Sequence, residues 1–328
     1  TNTRVALMYI LQFTIVSWLT IKNNTLPLKA NIIKTQSLTL KKNLPFIALI
    51  IATFLWGSSF IALKIAFVEF HPSQVIFFRM FVATLCFMLV CRPLGKIPYQ
   101  KGDWKYLAGM CLFEPCLYFV FESIALKNTS ASQAGVITSL LPLMVAVGAY
   151  FFLKEQLSKK TILGFIIAVS GAIALSLLGN ETELAPNPVL GNFFEFLAMA
   201  CACGYTLVLK HLTLRYSALF LTALQAASGT LFFLPPALWV PFPDEYSNSG
   251  IFAMIYLGIA VSIGAYGLYN YAVSKIPASQ ATAYINFIPV FTIIIAFFIL
   301  DERLTIWQIA ACGVIVTGIL LSKPSNSH

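Results

Sequence analysis

Residues 131–157, ASQAGVITSLLPLMVAVGAYFFLKEQL, and residues 278–304, ASQATAYINFIPVFTIIIAFFILDERL, lie 147 positions apart and are identical at ten of 27 positions without a gap. The matches include Ala131-Ser132-Gln133-Ala134 with Ala278-Ser279-Gln280-Ala281, Pro142 with Pro289, Glu155 with Glu302 and Leu157 with Leu304, and Gly171 with Gly318 extends the register. Apolar composition alone rarely gives so many identities in one register, so the chain carries a duplication.

The rest of the chain is as apolar as these segments. Of its 328 residues 59% are hydrophobic and 10% are charged, with a mean hydropathy of +0.84, whereas soluble domains carry about 25% charged residues. With 21 Lys and Arg and 12 Asp and Glu, the chain cannot clothe a soluble domain of this length. Apolar runs separated by short polar breaks fall at 44–67, 75–91, 105–126, 131–153, 161–178, 190–209, 218–240, 251–273, 278–300 and 306–322. Each is close to the ~20 residues that a membrane-crossing helix needs. The expected fold is therefore all-α, a polytopic membrane bundle of ten transmembrane helices.

The duplication divides this body into a first repeat at 44–178 and a second at 190–322, after an N-terminal extension of 1–43. Five spans is an odd number, so the repeats enter the membrane in opposite orientations. Inverted repeats of this kind are characteristic of secondary transporters, where two similar halves expose one central site to either face in turn. The apolar stretch 5–21 stands apart from this scheme. It reads as an eleventh span, an interfacial helix or sequence absent from the working protein, and the opening on Thr1 favours the last.

The net charge of +9 resembles a nucleic-acid signal until the basic residues are placed. With the residues before the first span in the cytoplasm, the inner loops hold Lys41, Lys42, Lys96, Lys101, Lys159, Lys160, Lys210, Arg215 and Lys275, while the outer loops hold Lys127 and Arg303 beside Glu181, Glu183, Asp244 and Glu245. That bias is the positive-inside rule, with both ends of the ten-helix body cytoplasmic. It removes nucleic acid as an expected partner and leaves the lipid bilayer and a small-molecule substrate. Oligomeric state is open, a homodimer included.

The seven cysteines fall within or at the edge of apolar runs and read as packing residues. No metal-ligand spacing, phosphate-binding glycine loop or Ser-His-Asp arrangement is present, so no cofactor, metal, ATP drive or enzymatic activity is expected.

Trp56-Gly57-Ser58-Ser59-Phe60 with Lys64, Phe78-Arg79, Ala125-Leu126, Ser132-Gln133-Ala134, Pro142 and Glu155-x-Leu157 resemble the EamA-type drug/metabolite transporter superfamily over about 44–322. The resemblance implies a ten-helix exporter of small metabolites, often amino acids or related compounds, in the bacterial inner membrane. Two features depart from it. The second repeat has weaker counterparts of the opening motif in Ala202 to Thr206 and Lys210, and Gln225 lies near the place that answers Arg79.

Charged residues within spans cost several kcal/mol, so each marks an aqueous cavity or an ion pair. Arg79 cannot shed its charge and requires a carboxylate, carbonyls or a substrate anion. Glu114, mid-span before Pro115, is the first choice for coupling by taking a proton on one face and losing it on the other; a neutral acid bonded between helices is the bland reading. Glu122 reads as a solvated vestibule position, Glu195 is ambiguous, and Lys64 either snorkels or functions. Pro142 and Pro289, at equivalent depths, suit hinges or static kinks. Glu155 and Glu302 read as ties between helix ends. Trp56, Tyr118, Tyr205, Tyr266, Asn270, Tyr284 and Asn286 supply an apolar wall with a few polar groups, the make-up of a small-molecule site. The readings that compete with amino-acid export are a membrane-embedded enzyme or assembly factor without transport, and a carrier of nucleotide sugars.

Overall fold

The computed structural model describes residues 29–90, 99–153 and 158–322; the segment 5–21 and Glu155 lie outside them. Among the described residues nine helices are long and apolar enough to cross a membrane: α1 Asn43–Glu69, α2 Pro72–Leu89, α3 Asp103–Asn128, α4 Ala131–Phe152, α5 Lys159–Leu177, α6 Pro188–Leu212, α7 Ala218–Trp239, α8 Asn248–Lys275 and α9 Ala278–Ile299. A shorter apolar helix, α10 Ile306–Ser322, completes ten. α1 is the apolar part of a helix spanning Lys29–Glu69, and all contacts described below belong to the unit Pro45–His328.

The helices start where side chains can accept from otherwise unbonded first-turn amides. Ser130, Ser158 and Ser217 accept from Gln133, Thr161 and Phe220 N–H groups at 3.2, 3.0 and 3.2 Å. α2 begins at Pro72, ahead of its apolar run, because proline suits the first helical position. Large apolar side chains point outward, with Leu89, Phe152 and Phe298 exposed, while Thr53, Gln133, Asn192 and Asn270 are buried. That reversal of the soluble pattern fits a lipid-facing surface around polar contacts between helices. Trp104, Trp239 and Trp307 sit exposed near helix ends, as interfacial residues do.

The two halves deviate from regular helix in matching places. α3 carries a π-helical segment, Leu112–Leu117, and α8 carries another, Leu257–Ala265. α4 and α9 each tighten into a 3₁₀ turn, Thr138–Leu140 and Tyr284–Phe287, just before Pro142 and Pro289. α5 and α10 cross where side chains are absent: a methyl on Gly164 would press on the Gly318 carbonyl, one on Gly318 on the Gly164 carbonyl, and one on Gly171 on Ala311. The pairing of Gly164 with Gly318 and Gly171 with Ala311 runs in reverse order, so these corresponding helices are antiparallel.

Candidate functional site

The wall residues converge because α1, α2, α3, α6 and α8 each bring one polar face to the middle of the bundle. Trp56, Ser59, Arg79, Glu114, Tyr118, Glu122, Tyr205, Thr206, Tyr266 and Tyr269 line a central cavity together with Phe60, Phe119, Leu141, Met199, Ile285 and Ile288. The space open to the centre of a water-sized sphere is about 40 Å³, room for about three water molecules.

Arg79 is 1% exposed. Its Nε donates to Ser262 Oγ at 3.1 Å and its guanidinium carbon stands 4.4 Å from the centre of the Phe119 ring. Among the described residues it makes no ion pair, although Glu114 and Glu122 lie within reach of its charge. The hydroxyl and the ring face hold the guanidinium from one side, and among the described residues its other N–H groups make no hydrogen bond.

Glu114 stands where the α3 backbone is broken. Its φ of −149° and ψ of 117° are extended rather than helical, and Pro115 has no N–H to continue the ladder. Glu114 Oε1 accepts from Tyr266 Oη at 2.5 Å, a bond from the second repeat to the first. The Trp56 indole lies edge-on to Tyr266 at 5.3 Å and tilted over Tyr269 at 5.0 Å. Its buried Nε1–H has no partner among the described residues.

Of the residues expected from the sequence, Trp56, Arg79, Glu114, Tyr118, Tyr205 and Tyr266 are brought together at the cavity. Asn270 lies behind it, tying α6, α7 and α8: its Oδ1 accepts from Tyr205 Oη at 2.5 Å, and its Nδ2 donates to Thr222 Oγ1 at 2.9 Å and Gln225 Oε1 at 3.0 Å. Tyr284 packs against Phe46 and Phe287, and half-buried Asn286 also lies outside the lining. Both belong to the 3₁₀ turn of α9, whose rotation sends Ile285 and Ile288 to the cavity instead. Leu141 and Ile288, which reach the cavity, directly precede Pro142 and Pro289.

Glu122 is the clearest departure from the sequence reading. It is 3% exposed and lines the cavity, and its Oε1 accepts from Tyr118 Oη at 2.9 Å. The bundle packs α6 against the Tyr118–Asn128 part of α3, so Glu122 faces a neighbouring helix rather than a solvated vestibule. Glu195 is fully buried on that facing helix. Ser59, Met199, Thr206 and Tyr269 were missed by the sequence reading. Tyr269 had a visible signal, since it stands three residues after Tyr266 on the same helical face.

Polar ties join the helices at the end that carries Glu302. Glu302 accepts from the Ala131 and Ser132 N–H groups at 2.9 and 2.8 Å, so one repeat's acid caps the other repeat's helix. Arg303 pairs with Asp301 instead, at 3.1 Å. Asn192 accepts from Thr129 at 2.8 Å and donates to Gln133 at 2.7 Å and Ser176 at 3.1 Å. Lys64 is buried and donates to the Leu184 carbonyl. At the opposite end Lys210 donates to the Val273 and Ile276 carbonyls at 2.8 and 2.9 Å, and Arg215 pairs with Asp103 at 2.9 Å. The matching motif residues differ: Ser132 and Gln133 are buried, whereas Ser279 and Gln280 are exposed.

Among the described residues no group of three or more His, Cys, Asp or Glu side chains is placed to hold a metal.

The sequence pattern of the EamA-like transporter family matches residues 43–177 and again residues 189–323. An "Uncharacterized transporter" of Archaeoglobus fulgidus is 25% identical over 82% of this chain and 93% of its own length. The transporter YetK of Bacillus subtilis is 27% identical over 88% of this chain and 90% of its own length. A "Probable terminal-alkyne amino-acid exporter" of Streptantibioticus cattleyicolor is 24% identical over 78% and 85% of the two chains. A crystal structure shares the fold with a TM-score of 0.62 at 19% identity, over 85% of this chain and 97% of that one. With its family pattern matched twice across a bundle built around one polar cavity, the chain belongs to the EamA-like transporter family and is a multi-pass membrane transporter.

Proposed function

We propose that the protein is a secondary active exporter of small metabolites such as amino acids or related compounds, working by alternating access and driven by proton exchange in a bacterial inner membrane. The observation that carries this reading is the cavity between the repeats, where Arg79 and Glu114 face one another's charge within aromatic walls. A zwitterion offers an anion for Arg79 and Trp56 Nε1–H and a cation for Glu114, with its side chain against Phe60, Phe119 and Met199. The relative named as a probable amino-acid exporter supports the same substrate class.

In this reading Glu114 couples substrate to proton, because both bind at one carboxylate and exclude each other. The 3₁₀ turns before Pro142 and Pro289, with the break at Glu114, are the joints about which the cavity opens. The unequal burial of Ser132 and Ser279 supports two interchangeable states, since an inverted duplication has a counterpart in which the two ends exchange roles. With the domain bounds at 44–178 and 190–322 and the positive-inside orientation, the Glu302 end is periplasmic and the Lys275 end cytoplasmic.

The test is efflux from proteoliposomes loaded with mixed amino acids and other small metabolites, read by mass spectrometry with and without a pH gradient. Selective loss of one class, accelerated by the gradient, is the expected result. No selective loss from folded protein overturns the exporter reading, and loss indifferent to the gradient removes the proton.

A further inference from the structure

We infer that Glu122 and Glu195 form a second acid site, separate from Glu114, which takes up the exchanged proton from the Glu302 end of the bundle. The inference rests on the exporter reading above.

Glu122 on α3 and Glu195 on α6 are 3% and 0% exposed, and Glu195 stands close enough to feel the charge of Glu122. Glu122 Oε1 is bonded by Tyr118, but Glu122 Oε2 and both oxygens of Glu195 have no hydrogen-bond partner among the described residues. Acids with structural roles in this chain, half-buried Glu302 and buried Asp103, are served differently. Both oxygens of Glu302 receive backbone N–H groups, and Asp103 receives Arg215, Tyr216 and the Gln100 N–H. Carboxylate oxygens left without donors are costly in a membrane interior. One proton bound between the two acids serves Glu122 Oε2 and one oxygen of Glu195, because the protonated acid donates to the other.

The surroundings offer no substitute. Tyr118 on α3 stands near both acids, whereas Glu114 on α3, Tyr266 on α8 and Arg79 on α2 bear on Glu122. α4 and α9 contain no charged residue in their spans, and the lysines of α5, Lys159 and Lys160, lie at its opposite end.

Position gives the pair its role. Glu122 lines the cavity, whereas Glu195 does not and stands one turn from Asn192, the centre of the ties at the Glu302 end. When those ties part, water from that side reaches Glu195 before it reaches Glu114. A proton then leaves outer water for a carboxylate oxygen of the pair. It passes to Glu114 once substrate has left that carboxylate and departs to water on the other side after reorientation, and no other bond changes.

The experiment compares wild type, Glu195→Gln, Glu195→Asp and the loop control Glu183→Gln in two readouts. In proteoliposomes, Glu195→Gln is expected to keep substrate exchange without a gradient and to lose acceleration by the gradient, its ratio falling to about one, while Glu195→Asp retains part of it. Acceleration equal to wild type overturns the inference. In detergent without substrate, infrared spectra of wild type are expected to hold a carbonyl band from a buried protonated acid that Glu195→Gln deletes, Glu195→Asp displaces and Glu183→Gln leaves alone. A band unchanged in the Glu195 variants overturns the proposal even where no substrate has been found, which separates its failure from that of the exporter reading. If Glu195→Gln does not fold, Glu195→Asp decides by the same band.

Discussion

Tyr266 on α8 donates a 2.5 Å hydrogen bond to Glu114 on α3, at the point where the α3 backbone leaves helical geometry. The bond joins the two repeats across the cavity, so any movement of one half against the other stretches it. Hydrogen bonds to charged groups contribute about 1.5–3 kcal/mol, and about 1.4 kcal/mol is tenfold in affinity. Tyr266→Phe is therefore expected to raise the substrate concentration for half-maximal flux about tenfold. Tyr269→Phe removes a hydroxyl that meets only Thr206, at 3.1 Å, among the described residues, and is expected to have a smaller effect in the same concentration series.

Arg79→Ala and Glu114→Gln are each expected to abolish flux while leaving a folded, monodisperse protein. Arg79→Lys is not expected to restore it, because an ammonium cannot bond Ser262, cover the Phe119 ring and still present a planar fork to the cavity. Proteoliposome efflux checks flux and size-exclusion chromatography checks folding; normal flux in the alanine and glutamine variants removes both residues from the mechanism.

Glu302→Ala strips two N–H groups at the start of α4 of their acceptor. Helix caps contribute about 0.5–2 kcal/mol, so a lowered Tm is expected. That end is also expected to loosen. In a background without native cysteines, Ser132→Cys is expected to resist a water-soluble thiol reagent and Ser279→Cys to react. Adding Glu302→Ala is expected to raise the rate at Ser132→Cys severalfold.

Gly164→Ala and Gly318→Ala each force a methyl group onto the facing helix, where the backbone cannot yield as a side chain can. Close helix contacts in membranes depend on such small residues, so thermal unfolding in detergent is expected to fall by several degrees in either variant. Gly313→Ala, with open space around its added methyl, is expected to leave Tm unchanged or slightly raised.

Orientation is read from exposed loop positions. Glu183→Cys is expected to react with an impermeant thiol reagent from outside the cell, and Lys101→Cys only after the membrane is permeabilised. Both side chains are exposed, and the reverse pattern overturns the charge-based assignment.

The ten apolar runs were legible because each break between them is marked by Pro, Gly or charge, and nine of the helices they form among the described residues are long enough to cross a bilayer. The duplication was legible because Pro142, Glu155 and their partners share one register. The site was legible in part. Trp56, Arg79, Glu114, Tyr118, Tyr205 and Tyr266 stood out as polar or aromatic residues within spans, and they meet at one cavity. Tyr284 and Asn286 were chosen on the same ground, but a 3₁₀ turn rotates them away by advancing α9 with three residues per turn instead of 3.6.

Composition and periodicity by themselves determined that this chain is a membrane bundle of duplicated halves with costly charges inside it, because apolar runs of about 20 residues span lipid as helices and lipid penalises every unpartnered polar group. Only the tertiary structure decided what those charges meet. The acceptance of two α4 amides by Glu302, the bond from Tyr266 to Glu114 and the burial of Glu122 beside Glu195 each join residues more than 70 positions apart in sequence or on different helices. Helical periodicity fixes which face a residue occupies, but which helix lies opposite that face is set by packing of the whole bundle, and packing decides whether a buried acid finds a donor.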